Sequence, residues 1–270
     1  MTVEIEHLSI RIGDHEVVHD VNMHVGDGER VGIIGSSGSG KSMVLKAIMG
    51  LLPQQAEASG SIVVAGEQVI GASDDRLADM RGRVMSMVAQ DPSASLNPVT
   101  SIVQQVMLPL KLHYDLDKKE LHDRALAALH SVGLGKELAG SFPHRLSGGQ
   151  QQRAAIATAL VTSPSLILAD EPTTALDSVT QRAVVDVLTK LVDEAGASMV
   201  FVTHDFAVLT RVANRCYVMH EGRVIEEGKT RQLLERPQES VTRELVQAAV
   251  HLSCILTWTL PRMKSMNNGW

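Results

Sequence analysis

The sequence predicts an α/β fold in which helices cover a largely parallel sheet. Three observations lead to this prediction. A short apolar run at residues 31–34 leads into a glycine-rich loop and then into a helical segment at 43–49. From residue 150 to residue 220, strand patterns alternate with helical patterns, as expected where each crossover between parallel strands runs through a helix. The chain also opens with β patterns and carries a helical block in its middle.

The β patterns lie at the N-terminus. Residues 3–12 alternate between apolar and polar side chains, and residues 17–25 continue this pattern after a turn at Gly13-Asp14. Two such segments joined by a tight turn predict an antiparallel β subdomain at the start of the chain.

The helical block covers residues 101–140. Leu121, Ala125, Leu129 and Val132 recur at i, i+4, i+8 and i+11, which places them on one face of a helix. We therefore expect an α-helical subdomain at about residues 92–160, within a single domain of residues 1–250. The pattern at 240–250 is also helical, whereas residues 251–270 form a tail for which the sequence indicates no role.

Composition excludes several classes of protein. The chain has 25 Lys and Arg against 31 Asp and Glu, a net charge of −6, whereas nucleic-acid binding relies on clustered positive charge. Cys216 and Cys254 are too few for a disulfide framework or a four-cysteine metal site. Neither a basic, apolar signal peptide nor a membrane-spanning run is present. We therefore expect a cytosolic chain with no nucleic-acid partner.

The segment GSSGSGKS matches G-x-x-x-x-G-K-[ST], the phosphate-binding loop. Glycines let such a loop turn successive backbone N–H groups toward phosphate oxygens. Lys41 would supply positive charge to the outer phosphates, and the Ser42 hydroxyl would bind Mg²⁺. The predicted nucleotide-binding residues here are Gly35, Ser36, Ser37, Gly38, Ser39, Gly40, Lys41 and Ser42.

Two acidic residues follow the apolar run at 166–169. Parallel sheets bind ligands at the C-terminal ends of their strands, so Asp170 is placed to hold Mg²⁺ and Glu171 to reach an attacking water. The same pattern also fits a strand that simply ends in a solvated turn.

A third motif, LSGGQ at residues 146–150, begins a helical segment. Ser147, Gly148, Gly149 and Gln150 would place free N–H groups at a helix N-terminus, where the helix dipole also favours an anion. The sequence therefore predicts a second phosphate site.

These three motifs and a later Thr203-His204-Asp205 have the order and spacing found in ATP-binding cassette (ABC) ATPases, and the chain resembles that family from about residue 3 to residue 228. The resemblance implies a P-loop NTPase core that hydrolyses ATP with Mg²⁺. It implies that Glu171 is the general base, that His204 contacts the γ-phosphate, and that Gln90 touches Mg²⁺ and the water. It places Asp177 at a dimer interface, although Ala-Leu-Asp-Ser is also a good helix N-cap signal.

The family holds each nucleotide between the phosphate loop of one subunit and the LSGGQ segment of another. One ATP bound by Lys41 does not need a second cradle from the same chain, which agrees with that arrangement. We therefore expect a head-to-tail dimer with a second ABC ATPase subunit, either identical or different. Its closure on ATP and reopening after hydrolysis would follow the state of the γ-phosphate.

Three segments resemble the peptide and nickel uptake branch of the family, and the last of them is closest to its nickel importers. They are QDPSASLNP at 90–98, EPTTALD at 171–177, and ERP at 235–237 with VTREL at 241–245. This resemblance implies a peripheral subunit on the cytoplasmic face of the bacterial inner membrane, bound to transmembrane permeases. A substrate-binding protein would deliver the cargo to these permeases. The alternatives are an exporter subunit and a soluble ABC ATPase of DNA repair or translation.

The sequence departs from the family at the adenine site. Related proteins usually stack an aromatic residue near Ile12 on adenine, but the first aromatic residue here is Tyr114. We expect aliphatic packing or a histidine such as His15 to hold the base, with looser base discrimination.

Residues 15–19 also match the zinc pattern H-E-x-x-H, in which a helix brings the two histidines together. Here the match lies in a β-like stretch, where residues i and i+4 are about 13 Å apart. We therefore expect His15 and His19 not to share a metal.

Overall fold

The computed structural model describes residues 1–174 and 176–255. The strands are β1 (Val3–Ile12), β2 (His15–Val25), β3 (Arg30–Ile34), β4 (Ala56–Val64), β5 (Glu67–Gln68), β6 (Met85–Val88), β7 (Leu166–Asp170), β8 (Ser198–Thr203), β9 (Arg215–His220) and β10 (Arg223–Lys229). The helices are α1 (Lys41–Ile48), α2 (Asp74–Arg83), α3 (Pro92–Ser95), α4 (Ile102–His113), α5 (Lys118–Ser131), α6 (Lys136–Ala139), α7 (Gly148–Leu160), α8 (Ser178–Ala195), α9 (Phe206–Val212), α10 (Thr230–Glu235) and α11 (Ser240–Ile255).

The first sheet is antiparallel, in the order β2-β1-β4-β5. This confirms the predicted β subdomain, although β2 begins at His15 and not at residue 17. Strands β4 and β5 come from a stretch in which the sequence pattern indicates no element. One face of the sheet is apolar and packs against α1 and the second sheet, since Ile5, Val21 and Ile62 are buried in the same core cluster as Val44 and Val200.

The second sheet has the order β10-β9-β3-β8-β7-β6 and is parallel except for the β9–β10 pair. It confirms the predicted parallel sheet with helices on its faces. Strands β7 and β8 are buried along their whole length, as central strands of a parallel sheet are. The C-terminal ends of β3, β7 and β8 lie side by side and form the edge on which the candidate site is built.

Helices α4, α5 and α6 occupy the block that the sequence predicts to be helical. The predicted stripe is confirmed, because all four of its side chains are buried, with Leu129 1% exposed. Three of them, Ala125, Leu129 and Val132, belong to one apolar cluster with residues of α7 and α8. The division into a domain of residues 1–250 with a helical subdomain at 92–160 stays a prediction.

Helix α11 continues to Ile255, past the predicted boundary at residue 250. Its residues Leu245 and Val246 pack on α9 in a third apolar cluster. The remainder of the predicted tail, residues 256–270, lies outside the described residues. None of the helices in the described part of the chain is long and apolar enough to cross a membrane.

An ion pair fixes the path into β3 and therefore into the phosphate loop. Arg215 on β9 donates from Nε to Oε1 of Glu29 at 2.8 Å and from Nη2 to Oε2 at 2.9 Å. Glu29 also accepts a hydrogen bond from the backbone N–H of Gly26 at 2.8 Å. Chiefly because of the Arg215 hydrogen bonds, the pKa of Glu29 lies below its ordinary value. Such a two-point contact specifies geometry as well as contributing energy.

Candidate nucleotide-binding site

A cleft of about 680 Å³ opens at the C-terminal ends of the parallel strands. It brings together residues that the sequence analysis took from four separate segments: the phosphate loop, the position after β6, the end of β7 and the end of β8. The lining residues are Val17, Ser37, Gly38, Ser39, Gly40, Lys41, Ser42, Met43, Gln90, Glu171, Thr174 and His204. These segments meet because neighbouring parallel strands end at the same edge of the sheet, so the residues that follow each strand lie close together there.

The phosphate loop has the shape that its glycines allow. Gly38 and Gly40 have φ angles of 81° and 95°, in the left-handed region that other residues rarely adopt. Gly35 is required for a different reason, because a Cβ atom there would lie 2.2 Å from the carbonyl oxygen of Met219. The backbone N–H of Ser39 donates to Ser36 O at 3.2 Å and closes the turn. α1 begins at Lys41, so the loop leads directly into a helix N-terminus.

Lys41 is almost completely buried, at 5% exposure. Its Nζ donates to the carbonyl oxygens of Gly35 at 2.9 Å and Ser36 at 2.8 Å. Burial lowers the pKa of Lys41, and the nearby charges of Glu171 and Asp170 act in the opposite direction. Two loop carbonyls therefore serve as hydrogen-bond partners of the ammonium group. A phosphate oxygen that enters the loop would meet a lysine already held in place.

Ser42 and Asp170 form an oxygen pair below the loop. The Ser42 hydroxyl donates to Oδ1 of Asp170 at 2.9 Å. Burial raises the pKa of Asp170, and the hydrogen bond from Ser42 lowers it in part. A hydroxyl and a carboxylate oxygen are both ligands that Mg²⁺ accepts, so this pair fits that ion.

Glu171 is held in place at the floor of the cleft. Its Oε2 accepts a hydrogen bond from Thr174 Oγ1 at 2.8 Å and lies 3.0 Å from Nδ1 of His204. Its φ angle is 43°, a sparsely populated value for a residue with a side chain. Such backbone conformations are often found at functional sites. Thr174 is a site residue that sequence reasoning missed, and its position three residues after Glu171 was the available signal.

The LSGGQ segment lies elsewhere. Ser147 caps α7: its Oγ accepts from the Gln150 N–H at 3.3 Å, and Oε1 of Gln150 accepts from the Ser147 N–H at 2.9 Å. Gly149 packs against α8, because a Cβ atom there would lie 2.4 Å from Cγ2 of Thr180. Among the described residues that line the cleft, none comes from positions 146–150. The second predicted phosphate site is thus separate from the first within one chain.

Asp177 is the N-cap of α8. Its Oδ1 accepts from the backbone N–H groups of Val179 at 3.1 Å and Thr180 at 3.0 Å. Hydrogen bonds from Thr180 hold the pKa of Asp177 below its ordinary value. The N-cap interpretation is therefore confirmed, and the dimer-interface role stays a prediction.

A second residue that sequence reasoning missed connects α7 with Gln90. Gln152 is 1% exposed, and its Nε2 donates to the carbonyl oxygen of Ala89 at 3.4 Å. The helix that begins with the LSGGQ segment is thus bonded to the backbone immediately before Gln90. The sequence alone does not distinguish Gln152 from the neighbouring Gln150 and Gln151.

On the side of the cleft where adenine was expected, Val17 provides apolar surface and His15 is not a lining residue. The H-E-x-x-H match lies on β2, as predicted, because residues 15–19 belong to that strand. The described residues contain no cluster of three or more His, Cys, Asp or Glu side chains suited to a metal ion.

A comparison with protein families identifies the molecule. Residues 18–174 match the family model described as ABC transporter. The chain belongs to the ABC transporter family. Its resemblance to ABC ATPases is thereby confirmed, and the chain is an ATPase.

Relatives of this ABC ATPase carry informative names. A putative peptide import ATP-binding protein of Brucella melitensis is 38% identical over 87% of this chain and 72% of its own length. The oligopeptide transport ATP-binding protein OppD of Lactococcus lactis subsp. cremoris is 36% identical over 86% of this chain and 70% of its own. The metal-staphylopine import system ATP-binding protein CntD of Staphylococcus aureus is 35% identical over 90% and 91%.

Solved structures agree with the fold. The dimeric ATP-binding cassette MJ0796, in a post-hydrolysis state bound to ADP and phosphate, has a TM-score of 0.76 and 34% identity, covering 84% of this chain and 98% of that one. The cbiO1 protein of Clostridium perfringens, part of the transporter complex cbiONQ, has a TM-score of 0.77 and 27% identity, covering 95% and 99%.

The raised pKa of Asp170 leads to a testable prediction. The folded state binds this proton more tightly than the unfolded chain, so stability falls as pH rises from 3.8 through the raised value, and the cost is complete above it. Asp170→Asn should therefore raise the urea midpoint at pH 7 without nucleotide or metal, and the gain should shrink as pH approaches 3.8.

The matched control is Asp27→Asn. The hydrogen bond from the Thr2 hydroxyl and the N-terminal ammonium group lower the pKa of Asp27, so neutralising it should change stability in the opposite direction. A lower urea midpoint for Asp170→Asn at pH 7 would contradict the assigned cost of burying this carboxylate.

Proposed function

We propose that this ABC ATPase is the nucleotide-binding subunit of a bacterial importer for peptides or metal complexes. It works on the cytoplasmic face of the inner membrane, bound to permease subunits. A substrate-binding protein delivers the cargo to these permeases. A second ABC ATPase subunit, identical or different, completes the pair. The names of the relatives support import and the cargo class, because one group is named for peptides and another for metal-staphylopine. A choice of nickel as cargo rests on the sequence resemblance.

The observation that carries the catalytic part of this proposal is the separation of two phosphate cradles in one chain. The cleft contains Lys41, Glu171 and His204, while the cradle at Ser147 begins a different helix and does not line the cleft. Two chains that face each other head to tail would place the Ser147 cradle of each over the cleft of the other. Gly148 and Gly149 then direct N–H groups at the partner's nucleotide, Gln150 holds the cradle in shape through its hydrogen bonds with Ser147, and Asp177 lies at the interface.

Within the cleft, Lys41 and the backbone N–H groups of residues 36–41 hold the triphosphate. Ser42, Asp170 and Gln90 hold Mg²⁺, which when bound neutralises charge on the phosphate oxygens. Glu171 accepts a proton from the water whose oxygen attacks the γ-phosphorus, and the bond from that phosphorus to the bridging oxygen breaks to release ADP. The hydrogen bond from Thr174 aims the Glu171 carboxylate, and His204 connects it to the γ-phosphate.

Permease docking is supported by exposed apolar side chains beside the helical block. Val99 is 80% exposed, Leu112 is 70% exposed and Leu108 is 53% exposed. Val99 follows Gln90 and α3 along the chain, and the two leucines lie one turn apart on α4. Large side chains of this kind are costly to leave in water and are suited to contact with another subunit.

Glu171→Gln should abolish turnover and trap an ATP-bound dimer. The glutamine keeps the size of the side chain but cannot accept the proton of the attacking water, so closure would no longer be followed by reopening. Hydrolysis should fall by at least about 100-fold, as expected for loss of a general base. Phosphate release assays and gel filtration with ATP measure both effects.

The control for this variant is Glu221→Gln, which neutralises an exposed acid that also has a positive φ, 44°. It should hydrolyse ATP normally. A Glu171→Gln protein that stays monomeric and hydrolyses ATP at the normal rate would remove Glu171 from the proposed role.

Ser147→Ala should reduce turnover without weakening the first binding of nucleotide, because the first site is the Lys41 loop of the same chain. The change also removes a helix cap, which typically costs about 1 kcal/mol. Asp117→Ala is a matched control, since Asp117 caps α5 through a 2.8 Å hydrogen bond from the Glu120 N–H. Both variants should lose similar stability in urea titrations.

Only Ser147→Ala should lose hydrolysis. Ser147→Asp retains a capping side chain and adds a negative charge opposite the partner's triphosphate, so it should be stable and inactive. Normal turnover in both Ser147 variants would refute the shared site.

The transport assignment is tested by coexpression with the permease genes that neighbour this one. The chain should then sediment with membranes, and the double variant Val99→Asp/Leu112→Asp should remain in the supernatant while it retains ATP binding. Leu51→Asp alters an exposed apolar residue after α1, at 48% exposure, and should sediment normally. The proposal would be contradicted if the unaltered chain stayed in the supernatant. It would also be contradicted if the reconstituted complex used ATP to drive efflux and not uptake.

A further inference from the structure

Few aromatic rings on the described part of the chain are available to a ligand. Phe201, Phe206 and Tyr217 are buried in the cores, each at 1% exposure or less. Tyr114 and Phe142 are each 37% exposed. Tyr114 follows α4, and its hydroxyl donates to the carbonyl oxygen of Thr162 at 3.1 Å. Of these five rings, Phe142 is the one that stands next to a phosphate cradle.

The Phe142 ring is oriented by a contact with His144. The two rings are stacked, with centroids 6.0 Å apart and planes inclined by 11°. Offset stacking of this kind is a favourable aromatic contact, and it holds the Phe142 ring in one orientation.

The backbone around this pair is held firmly against α7. A 3-10 turn covers Pro143–Arg145, and the Arg145 N–H donates to Phe142 O at 3.0 Å. The Gln151 side chain of α7 donates to Pro143 O at 3.0 Å and to Leu146 O at 3.2 Å. The ring pair therefore has a fixed position relative to the α7 N-terminus.

The distance between Phe142 and Ser147 suits the length of one nucleotide. Phe142 precedes Ser147 by five residues, which span at most about 17 Å when extended and less through a 3-10 turn. A triphosphate at the Ser147 cradle thus leaves its base within reach of the Phe142 ring, which is 37% exposed.

The cleft that holds Lys41 differs from the Ser147 cradle in the side chains available to a base. Its described lining contains no Phe, Tyr or Trp, and Val17 and Met43 are its apolar side chains. Purine bases gain affinity by stacking on aromatic rings, and this gain does not depend on hydrogen-bond readout. The phosphate loop of one chain is thus well equipped for phosphates and poorly equipped for the base.

We propose that Phe142, supported by His144, is the stacking platform for the purine base of the nucleotide held by the partner's phosphate loop. The inference rests on the proposed head-to-tail dimer. It deepens that proposal by giving the second half-site a role in binding the base as well as the phosphates. Stacking then contributes to dimer closure and contributes nothing to the first binding of nucleotide by a single chain.

Photolabelling tests the position of the base. The full-length Glu171→Gln protein is mixed with 8-azido-ATP and Mg²⁺, irradiated, digested and analysed by mass spectrometry. Label is expected on residues 141–145 in the dimer fraction and not in the monomer fraction. Label confined to residues 12–17 in the dimer would overturn the inference and restore His15 or Val17 as the base contact.

Affinity measurements test the contribution of the ring. In the Glu171→Gln background, Phe142→Ala should raise the ATP concentration for half-maximal dimer formation by about 5- to 100-fold. The affinity of the monomer for ATP should not change. Phe142→Tyr should restore dimer formation, and Tyr114→Ala, which removes the other equally exposed ring, should have no effect.

The outcomes separate the two proposals. If Glu171→Gln forms no dimer with ATP, the proposed function fails and the inference fails with it. If the dimer forms but Phe142→Ala leaves its ATP dependence unchanged, the inference alone is overturned. A weakened dimer without label on residues 141–145 also overturns it, because Phe142 would then pack on protein and not on the base.

Discussion

The buried ammonium group of Lys41 is the constraint on which the site depends. A charge removed from water needs partners, and here two loop carbonyls supply them within 2.9 Å. The loop that carries them passes through left-handed conformations at Gly38 and Gly40, which glycine adopts at little cost. Glycine-rich loops of this kind can turn successive backbone N–H groups toward an anion. The lysine and the loop together are therefore suited to bind a triphosphate.

The carboxylates beside this lysine are held in different environments, and this suits different tasks. Asp170 lies beneath the surface, where burial raises its pKa and Ser42 donates to it. Glu171 is the next residue, but its positive φ turns it onto the cleft floor, where Thr174 and His204 contact its Oε2. Strand β7 ends at Asp170, and the change of backbone conformation at Glu171 gives the two neighbouring carboxylates different surroundings.

Helix α7 links two places that a nucleotide would contact. Its N-terminus carries Ser147 and the glycines, and Gly149 is pressed against Thr180 at the start of α8. One turn further, Gln152 is bonded to Ala89, the residue before Gln90. A rigid helix with contacts at both places would move them together.

Local patterns determined much of this protein. The phosphate loop, the apolar strand before Asp170, the capping signals of α7 and α8 and the buried stripe of α5 depend on residues close together in the chain, where glycine content, periodicity and caps act directly. Strands β4, β5, β6 and β10 and helix α2 were not predicted, because their sequences are short or polar and tertiary pairing stabilises them.

The contacts between distant segments were decided only by the tertiary structure. The sequence could not indicate that Gln152 holds Ala89, or that His15 lies outside the cleft while Val17 lines it. Phe142 and His144 likewise read as ordinary residues until the 3-10 turn stacks them beside the α7 N-terminus. Such contacts depend on how the strands, helices and turns pack together. Packing joins residues that no helix or strand period relates, so a sequence pattern cannot reveal them.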